Sequence, residues 1–378
     1  MKQTLYVIMF GAGIAFMNQS GGAQTKDYSD VLVIINVNSP ESVEIGEYFA
    51  ARRHIPDGNL CRIQSSTDEE INDDEFQSLR SQIEHFLIYH HLADKINYLV
   101  TTKGVPLKVN RGARFSEISP SASVESELTL ILSPWSKCIG RAGRIYSPYF
   151  NAQSHFSHKE FGIYLVTRLD GYTVKDVKQL IQNGEGAKLV GRFLFDCDPS
   201  LDKVAGFLND DLRHAATQLE EYGMSVTLDD SHKFLTRQDS VLGYVSWGSN
   251  DMHWEYYTDL ARPHNQWLPG AIAETYVSTS ARSFEHVLFI QSQIADLIRE
   301  GVTGVKGYVY EPFASAMAHV DILFDRYTSG YNLAESFFAA SWYLSWQDVV
   351  VGDPKVVLEQ SSEQQKKRIL AQKSSMQR

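Results

Sequence analysis

The sequence predicts an α/β protein of two successive doubly wound units, each built on a mainly parallel sheet. Three observations carry this reading. Short, nearly continuous apolar runs recur along the chain, as strands buried on both faces require. Amphipathic helical segments separate those runs, the alternation that gives parallel sheets. The chain has 378 residues with 43 % hydrophobic content, enough for two or more compact cores.

The elements follow in order. Asp30 to Val37 is the first strand. Ser39-Pro40-Glu41 then supplies an N-cap, a proline at the first helical position and an acid in the first turn, and Arg52-Arg53-His54 closes the helix before Pro56. Leu60 to Gln64 reads as a strand, Asp74 to Leu92 as an amphipathic helix, and Ile96 to Thr101 as the next strand. From Arg111 to Phe150 the pattern loosens around a short helical stretch, Val124 to Leu132. A second series begins with strand Gly162 to Thr167, helix Val174 to Gln182, strand Leu189 to Phe195 and helix Asp202 to Tyr222. It continues through strands Val241 to Ser246 and Ala273 to Ser278, helix Phe284 to Glu300 and strand Val305 to Tyr310. Asn332 with Glu335 forms a capping box for an aromatic-rich helix through Trp342, and Val349-Val350-Val351, Gly352-Asp353-Pro354 and Lys355 to Leu358 read as strand, turn and strand.

This places a signal peptide at residues 1–23, an N-terminal unit at 29–155, a C-terminal unit carrying the site at 156–358 and a polar tail, solvated or a frayed helix, at 359–378. Lys2, the apolar run Leu5 to Phe16 and the small residues Gly21-Gly22-Ala23 have the order of a secretory leader, so export to the periplasm or outside the cell is expected. No later stretch is long and apolar enough to span a membrane. Lys and Arg number 35 against 46 acids, a balance of −11, which argues against a general nucleic-acid surface. Leader removal leaves 34 against 46, or −12; with the tail at +3, the body from Gln24 to Leu358 carries −15. Cys61, Cys138 and Cys197 are too few for a disulfide framework and lack zinc spacing.

Several longer segments recur together: YLVTTKGVP at Tyr98 to Pro106, YLVTRLD at Tyr164 to Asp170, GYVSWGSND at Gly243 to Asp251, GVTGVKGYVYEP at Gly301 to Pro312, NLAESF at Asn332 to Phe337 and VVGDP at Val350 to Pro354. On these, residues 30 to 358 resemble an uncharacterised family of exported bacterial proteins with no assigned activity. More distantly, the chain is similar to the gingipain-type, caspase-like cysteine peptidases, whose catalytic region is two α/β subdomains. That resemblance implies a caspase-like fold. It also implies a catalytic His in a Gly-His-Gly segment after one strand and a Cys after the next. Here those segments read Ser246-Trp247-Gly248-Ser249 and Val277-Ser278-Thr279-Ser280-Ala281, with neither residue. The implied protein is a degenerate, non-peptidase relative, since thiolate attack needs both groups.

In open parallel sheets ligands sit beyond the carboxyl ends of the strands. The second half ends its strands in Arg168 and Asp170; Asp196 and Asp198; Ser246, Trp247, Ser249, Asn250 and Asp251; Ser278, Thr279, Ser280 and Arg282; and Glu311. If these converge, they form a cleft for a polar or peptide-like ligand, with an Arg on a carboxylate or phosphate and Trp247 stacked on a ring. The competing reading is that such loops are polar in every α/β protein and serve as helix caps. Two other function classes remain: a hydrolase using Ser278 or Ser280 with His253 or His286, or paired acids among Asp170, Asp196 and Asp251; and an envelope scaffold acting through its surface.

The acidic excess puts a cationic or metal-bridged ligand before an anionic one. No cofactor motif is present: Gly301, Gly304 and Gly307 precede a strand rather than link a strand to a helix. His155-x-x-His158-x-Glu160 has metal-like spacing in a loop-like segment and reads as surface histidines. The stripe Phe337, Phe338, Trp342 and Trp346 reads as core.

Overall fold

The structure, a computed structural model, describes residues 27–111, 121–139, 145–251, 262–287 and 291–375. The expected leader and His253 lie outside the described residues. One ten-stranded sheet organises the chain. Its strands are β1 (Val31–Asn36), β2 (Leu60–Ile63), β3 (Tyr98–Thr102), β4 (Leu165–Leu169), β5 (Arg192–Asp196), β6 (Ser225–Asp229), β7 (Val241–Ser246), β8 (Trp267–Thr275), β9 (Gly304–Tyr308) and β10 (Asp348–Gly352). Across the sheet the order is β2-β1-β3-β4-β10-β9-β8-β7-β5-β6. This is a mixed α/β architecture, a large and mostly parallel sheet flanked by helices, as the alternating strand and helix pattern predicts.

Every neighbouring pair is parallel except β9 and β10, which run antiparallel with Gly304 opposite Gly352 and Tyr308 opposite Asp348. The sheet therefore consists of two parallel sets pointing in opposite directions. The first set is β2, β1, β3, β4 and β10; the second is β9, β8, β7, β5 and β6. The sheet runs unbroken across residues 155 and 156, and β4 pairs along its whole length with β3.

The helices are α1 (Pro40–Arg53), α2 (Asp73–Tyr89), α3 (Val124–Leu128), α4 (His158–Phe161), α5 (Val174–Asn183), α6 (Asp202–Glu221), α7 (Ile294–Glu300), α8 (Val320–Tyr327), α9 (Leu333–Ala339) and α10 (Ser362–Ser375). Their boundaries follow local chemistry. Ser39 accepts from the Ser42 amide with Pro40 next in line, and His54 ends α1 in the left-handed region. Full capping boxes open α2 (Asn72 and Glu75), α5 (Thr173 and Asp176) and α9 (Asn332 and Glu335). Helices α1, α5 and α7 pack along one face of the sheet, and α6, α8 and α9 along the other.

Some expectations need revision. The helix expected from Phe284 begins only at Ile294, because Ser283 and Phe284 are buried in an irregular crossing segment. Lys355 to Leu358 is not a strand but follows a turn held by the Asp353 carboxylate. Strand β6 was not anticipated; it is an edge strand of mixed exposure, so its sequence lacks the apolar run of the buried strands. The tail is helical, one of its two expected forms, but as α10 it is docked rather than solvated, with Arg368 buried against Asp325, Thr328 and the Tyr222 ring.

Arg168 on β4 is the largest of the fully buried side chains, at 1 % exposure. Its Nε donates to Asp170 Oδ2 at 2.8 Å, Nη1 to Glu125 Oε1 at 2.8 Å and to the Pro106 carbonyl, and Nη2 to the Val105 carbonyl at 2.7 Å. Burial works against its charge, but Glu125 and Asp170 more than offset this and hold the guanidinium charged. Arg168→Ala would strand two buried carboxylates, and urea unfolding is expected to show a loss of about 3–5 kcal/mol. Most of that loss should return when Arg168→Met is combined with Glu125→Gln and Asp170→Asn. A loss below about 1 kcal/mol for the single change would show that Arg168 is not a structural tie.

Candidate functional site

The reversal between β9 and β10 sorts the candidate residues. Strands β5, β7, β8 and β9 end at one edge of the sheet; β4, with Arg168 and Asp170, ends at the other. The convergence of all strand-end groups in a single cleft therefore does not occur. Arg168 spends its donors inside the protein, and Asp170 takes Arg168 on one oxygen and the Gly171 amide on the other, with Lys103 Nζ 3.6 Å away.

Within the second set, β5 is followed by β6 on one side and β7 on the other, so the topological switch point lies between β5 and β7. That is where open α/β sheets place ligands. Asp196 and Ser246 are register partners there. Asp198 caps the short turn Pro199–Leu201 by accepting from the Ser200 amide at 2.9 Å, while His232 Nδ1 lies 3.3 Å from the same oxygen. Asn209 of α6 bridges the two strand ends: its Nδ2 donates to the Asp198 carbonyl at 2.8 Å, and its Oδ1 accepts from Trp247 Nε1 at 2.7 Å. Sequence reading missed Asn209, because a polar residue in a long helix carries no sign of inward orientation; only its apolar neighbour Leu208 marks the buried side.

The β7 loop is tightly folded. Gly248 has φ +54°, and a Cβ there would lie 2.6 Å from Val277 Cγ2, so the turn requires glycine. Ser246 Oγ accepts from the Gly248 amide and Ser249 Oγ from the Ser292 amide. Asn250 is exposed, and its Nδ2 donates to the Tyr276 carbonyl at 2.7 Å. Trp247 is buried with its ring edge-on to Tyr276, so it presents no open stacking face. Beyond β8, Ser278 and Thr279 are half-buried, and Arg282 donates to the Thr279 and Gln291 carbonyls. Arg282 lies on the crossing segment, whose Arg282 carbonyl accepts from Lys108 Nζ and whose Phe284 amide donates to Glu69. Glu311 is exposed.

Among the described residues, two carboxylate oxygens remain without hydrogen-bond partners at the switch point, Asp196 Oδ1 and Asp198 Oδ2, on side chains with no solvent exposure. Asp251, at 4 % exposure, is close enough to Asp196 for their charges to interact. Burial pushes the Asp196 carboxyl up to about 8; the Leu235 amide, donating to Oδ2, opposes this, and the charges of Asp251, Asp229 and Asp198 add to it. At neutral pH Asp196 is thus a protonated acid. It can donate a proton, or exchange that proton for a cation.

The nucleophile alternatives fare differently. Among the described residues Ser280 Oγ is buried without a hydrogen-bond partner, so no described base touches it. His286 is stacked on Tyr172 with Nε2 against Arg299. Cys197, beside Asp196, and Cys61 are buried thiols, each pushed up to about 12 by burial, so neither is a ready thiolate. His155 and His158 do not share a ligand position: His155 is exposed against Glu335, whereas His158 is buried on Tyr164 with Nδ1 on the Ile163 carbonyl. Phe337, Phe338 and Trp346 are core residues. Cavities of about 580 Å³ beside Arg326 and Arg368 and about 640 Å³ beside Arg53 and Glu185 are lined by none of the strand-end residues.

No protein-family model matches the chain. No curated protein matches it either. It is similar to a solved structure described as "Structure of Protease" at 9 % identity and a TM-score of 0.39, covering 87 % of this chain and 78 % of that one. At that level the likeness carries no argument about activity. Among the described residues, no helix is long and apolar enough to cross a membrane.

The Asp196 carboxyl gives a pH signature. Its folded value is raised above the model-peptide 3.8 to about 8, so the folded state holds a proton that the unfolded state has released, and stability falls as pH rises between about 4 and 8. Asp196→Asn should remove this dependence. The variant's advantage in urea unfolding is expected to grow by at most about 1.4 kcal/mol per pH unit across that window and to level off above it. A difference that stays constant from pH 5 to 8 would contradict the assignment.

Proposed function

We propose that this protein is an exported, non-peptidase relative of the caspase-like and gingipain-like fold that binds a polar or peptide-like ligand at the β5/β7 switch point, through a cationic group of that ligand. The observation that carries the reading is the pair of buried, unpartnered carboxylate oxygens on Asp196 and Asp198. A buried oxygen without a donor is costly, and a cation restores what burial removed. The acidic balance of the body draws positive ligands toward the protein. The segments that correspond to the peptidase His and Cys follow β7 and β8, neighbouring strands, and supply Trp247 and Ser278 to Ser280 instead.

Asp196 is the anchoring acid, since it has both a protonated carboxyl and an open acceptor. Asp198 and Asp251 supply the surrounding negative field, and Asn209 holds the β5 and β7 loops at a fixed separation. Binding of a cation displaces the Asp196 proton, so affinity rises with pH up to about 8.

The test is a thermal-shift series on the mature protein with lysine, arginine, agmatine, short peptides ending in Lys or Arg, and calcium chloride. At least one cationic probe is expected to raise Tm, with the shift lost in Asp196→Asn and reduced in Asp198→Asn. Shifts that persist in both variants, or none at millimolar concentrations, would sink the reading. Turnover of an ester, amide or glycoside panel that disappears in Asp251→Ala or Ser280→Ala would replace it with the hydrolase alternative.

A further inference from the structure

A second group of ligating side chains lies between α6 and α8, apart from the strand-end acids. Asp211 and His214 stand three residues apart on one face of α6. His319 is the N-cap of α8, and Asp321 lies in its first turn. His319 Nδ1 is 3.3 Å from Asp211 Oδ2, and His214 Nδ1 is 3.3 Å from Asp321 Oδ2. One ligand atom each from Asp211, His319 and Asp321 falls within 4.8 Å of the other two. Tetrahedral N and O ligands at zinc distances of roughly 2.0–2.1 Å stand roughly 3.3 Å from one another, the spacing seen in both His–Asp contacts.

Two unsatisfied groups mark this place. His319 Nε2 is buried and has no hydrogen-bond partner. Just past the end of β8, Tyr276 is 1 % exposed, its hydroxyl has no partner among the described residues, and the Asp211 and Asp321 charges both act on it. The three ligating side chains are about a quarter exposed, which leaves an entry path for an ion. One imidazole with two carboxylates, and a second imidazole, His214, against one of those carboxylates, make a borderline N/O donor set, suited to zinc-class ions rather than to calcium or magnesium, which want oxygen alone.

We propose that Asp211, His214, His319 and Asp321 form a zinc-class divalent-metal site that clamps α6 to α8. His319 and the two carboxylates supply three ligands, and the exposed His214, now against Asp321, turns in from the solvent side to close the set. Because α6 also carries Asn209, the clamp fixes the helix that spaces the β5 and β7 loops. The inference does not depend on what binds at Asp196.

The test uses tag-free mature protein stripped with chelator and titrated with Zn²⁺ against a chromophoric competitor, with Co²⁺ absorption reporting coordination geometry. One equivalent per chain is expected, with a tetrahedral Co²⁺ spectrum. Affinity should fall at least about ten-fold in His319→Ala and in Asp211→Asn, and stay unchanged in Asp196→Asn. His214 is 65 % exposed, so His214→Ala keeps the fold and must also weaken binding. Absence of stoichiometric binding, or equal affinity in His214→Ala and the parent protein, would overturn the site.

Discussion

The antiparallel ladder between β9 and β10 is the constraint on which the rest of the structure depends. It joins two parallel sets into one sheet and fixes that they point opposite ways. The join requires close backbone approach: Gly352 has φ +141°, and a Cβ on Gly304 would lie 2.3 Å from Leu333 Cδ1 of α9. Because β10 also pairs with β4, the reversal decides which strand ends can share a site. Asp196 and the β7 loop share one; Arg168 and Asp170 are excluded from it.

The two clusters of buried acids answer the cost of burial in different ways. Around Arg168 the charges are balanced: Glu125 and Asp170 each receive a guanidinium nitrogen and backbone carbonyls take the other donors, although Glu125 Oε2 has no hydrogen bond. Such a network sets a full positive charge against its acids and ties elements together. Around Asp196 the acids outnumber their donors, and one acid answers by keeping its proton. A site that holds unsatisfied acceptors at a switch point has stability to recover when a cation arrives. That difference, more than the number of polar residues, separates a candidate site from ordinary loop polarity.

Much of the fold was legible in the sequence. Runs such as Val31 to Asn36 and Val241 to Ser246 are buried on both faces, and that is what their unbroken apolar character says. The capping chemistry of Ser39 and Asn332 marked helix starts to within a residue or two. Strand direction was not legible, because an apolar run is the same read either way, and so the grouping of Arg168 with Asp196 was an error of topology rather than chemistry. Partner choice was equally hidden. Trp247 and Arg282 looked available for a ligand, yet Asn209 and two backbone carbonyls occupy them. The Asp211 and His319 pairing joins residues more than a hundred positions apart, a separation that local pattern does not bridge.

The central claim is that Asp196 is protonated in the folded protein at neutral pH. Carboxyl ¹³C NMR of aspartate-labelled protein, with Asp196→Asn to assign the resonance, measures this directly. A titration midpoint near 8, well above those of exposed aspartates, is the result the structure demands. A midpoint near 4, with the carboxyl ionised throughout the neutral range, would contradict it and remove the basis for a cation-exchanging site at the β5/β7 switch point.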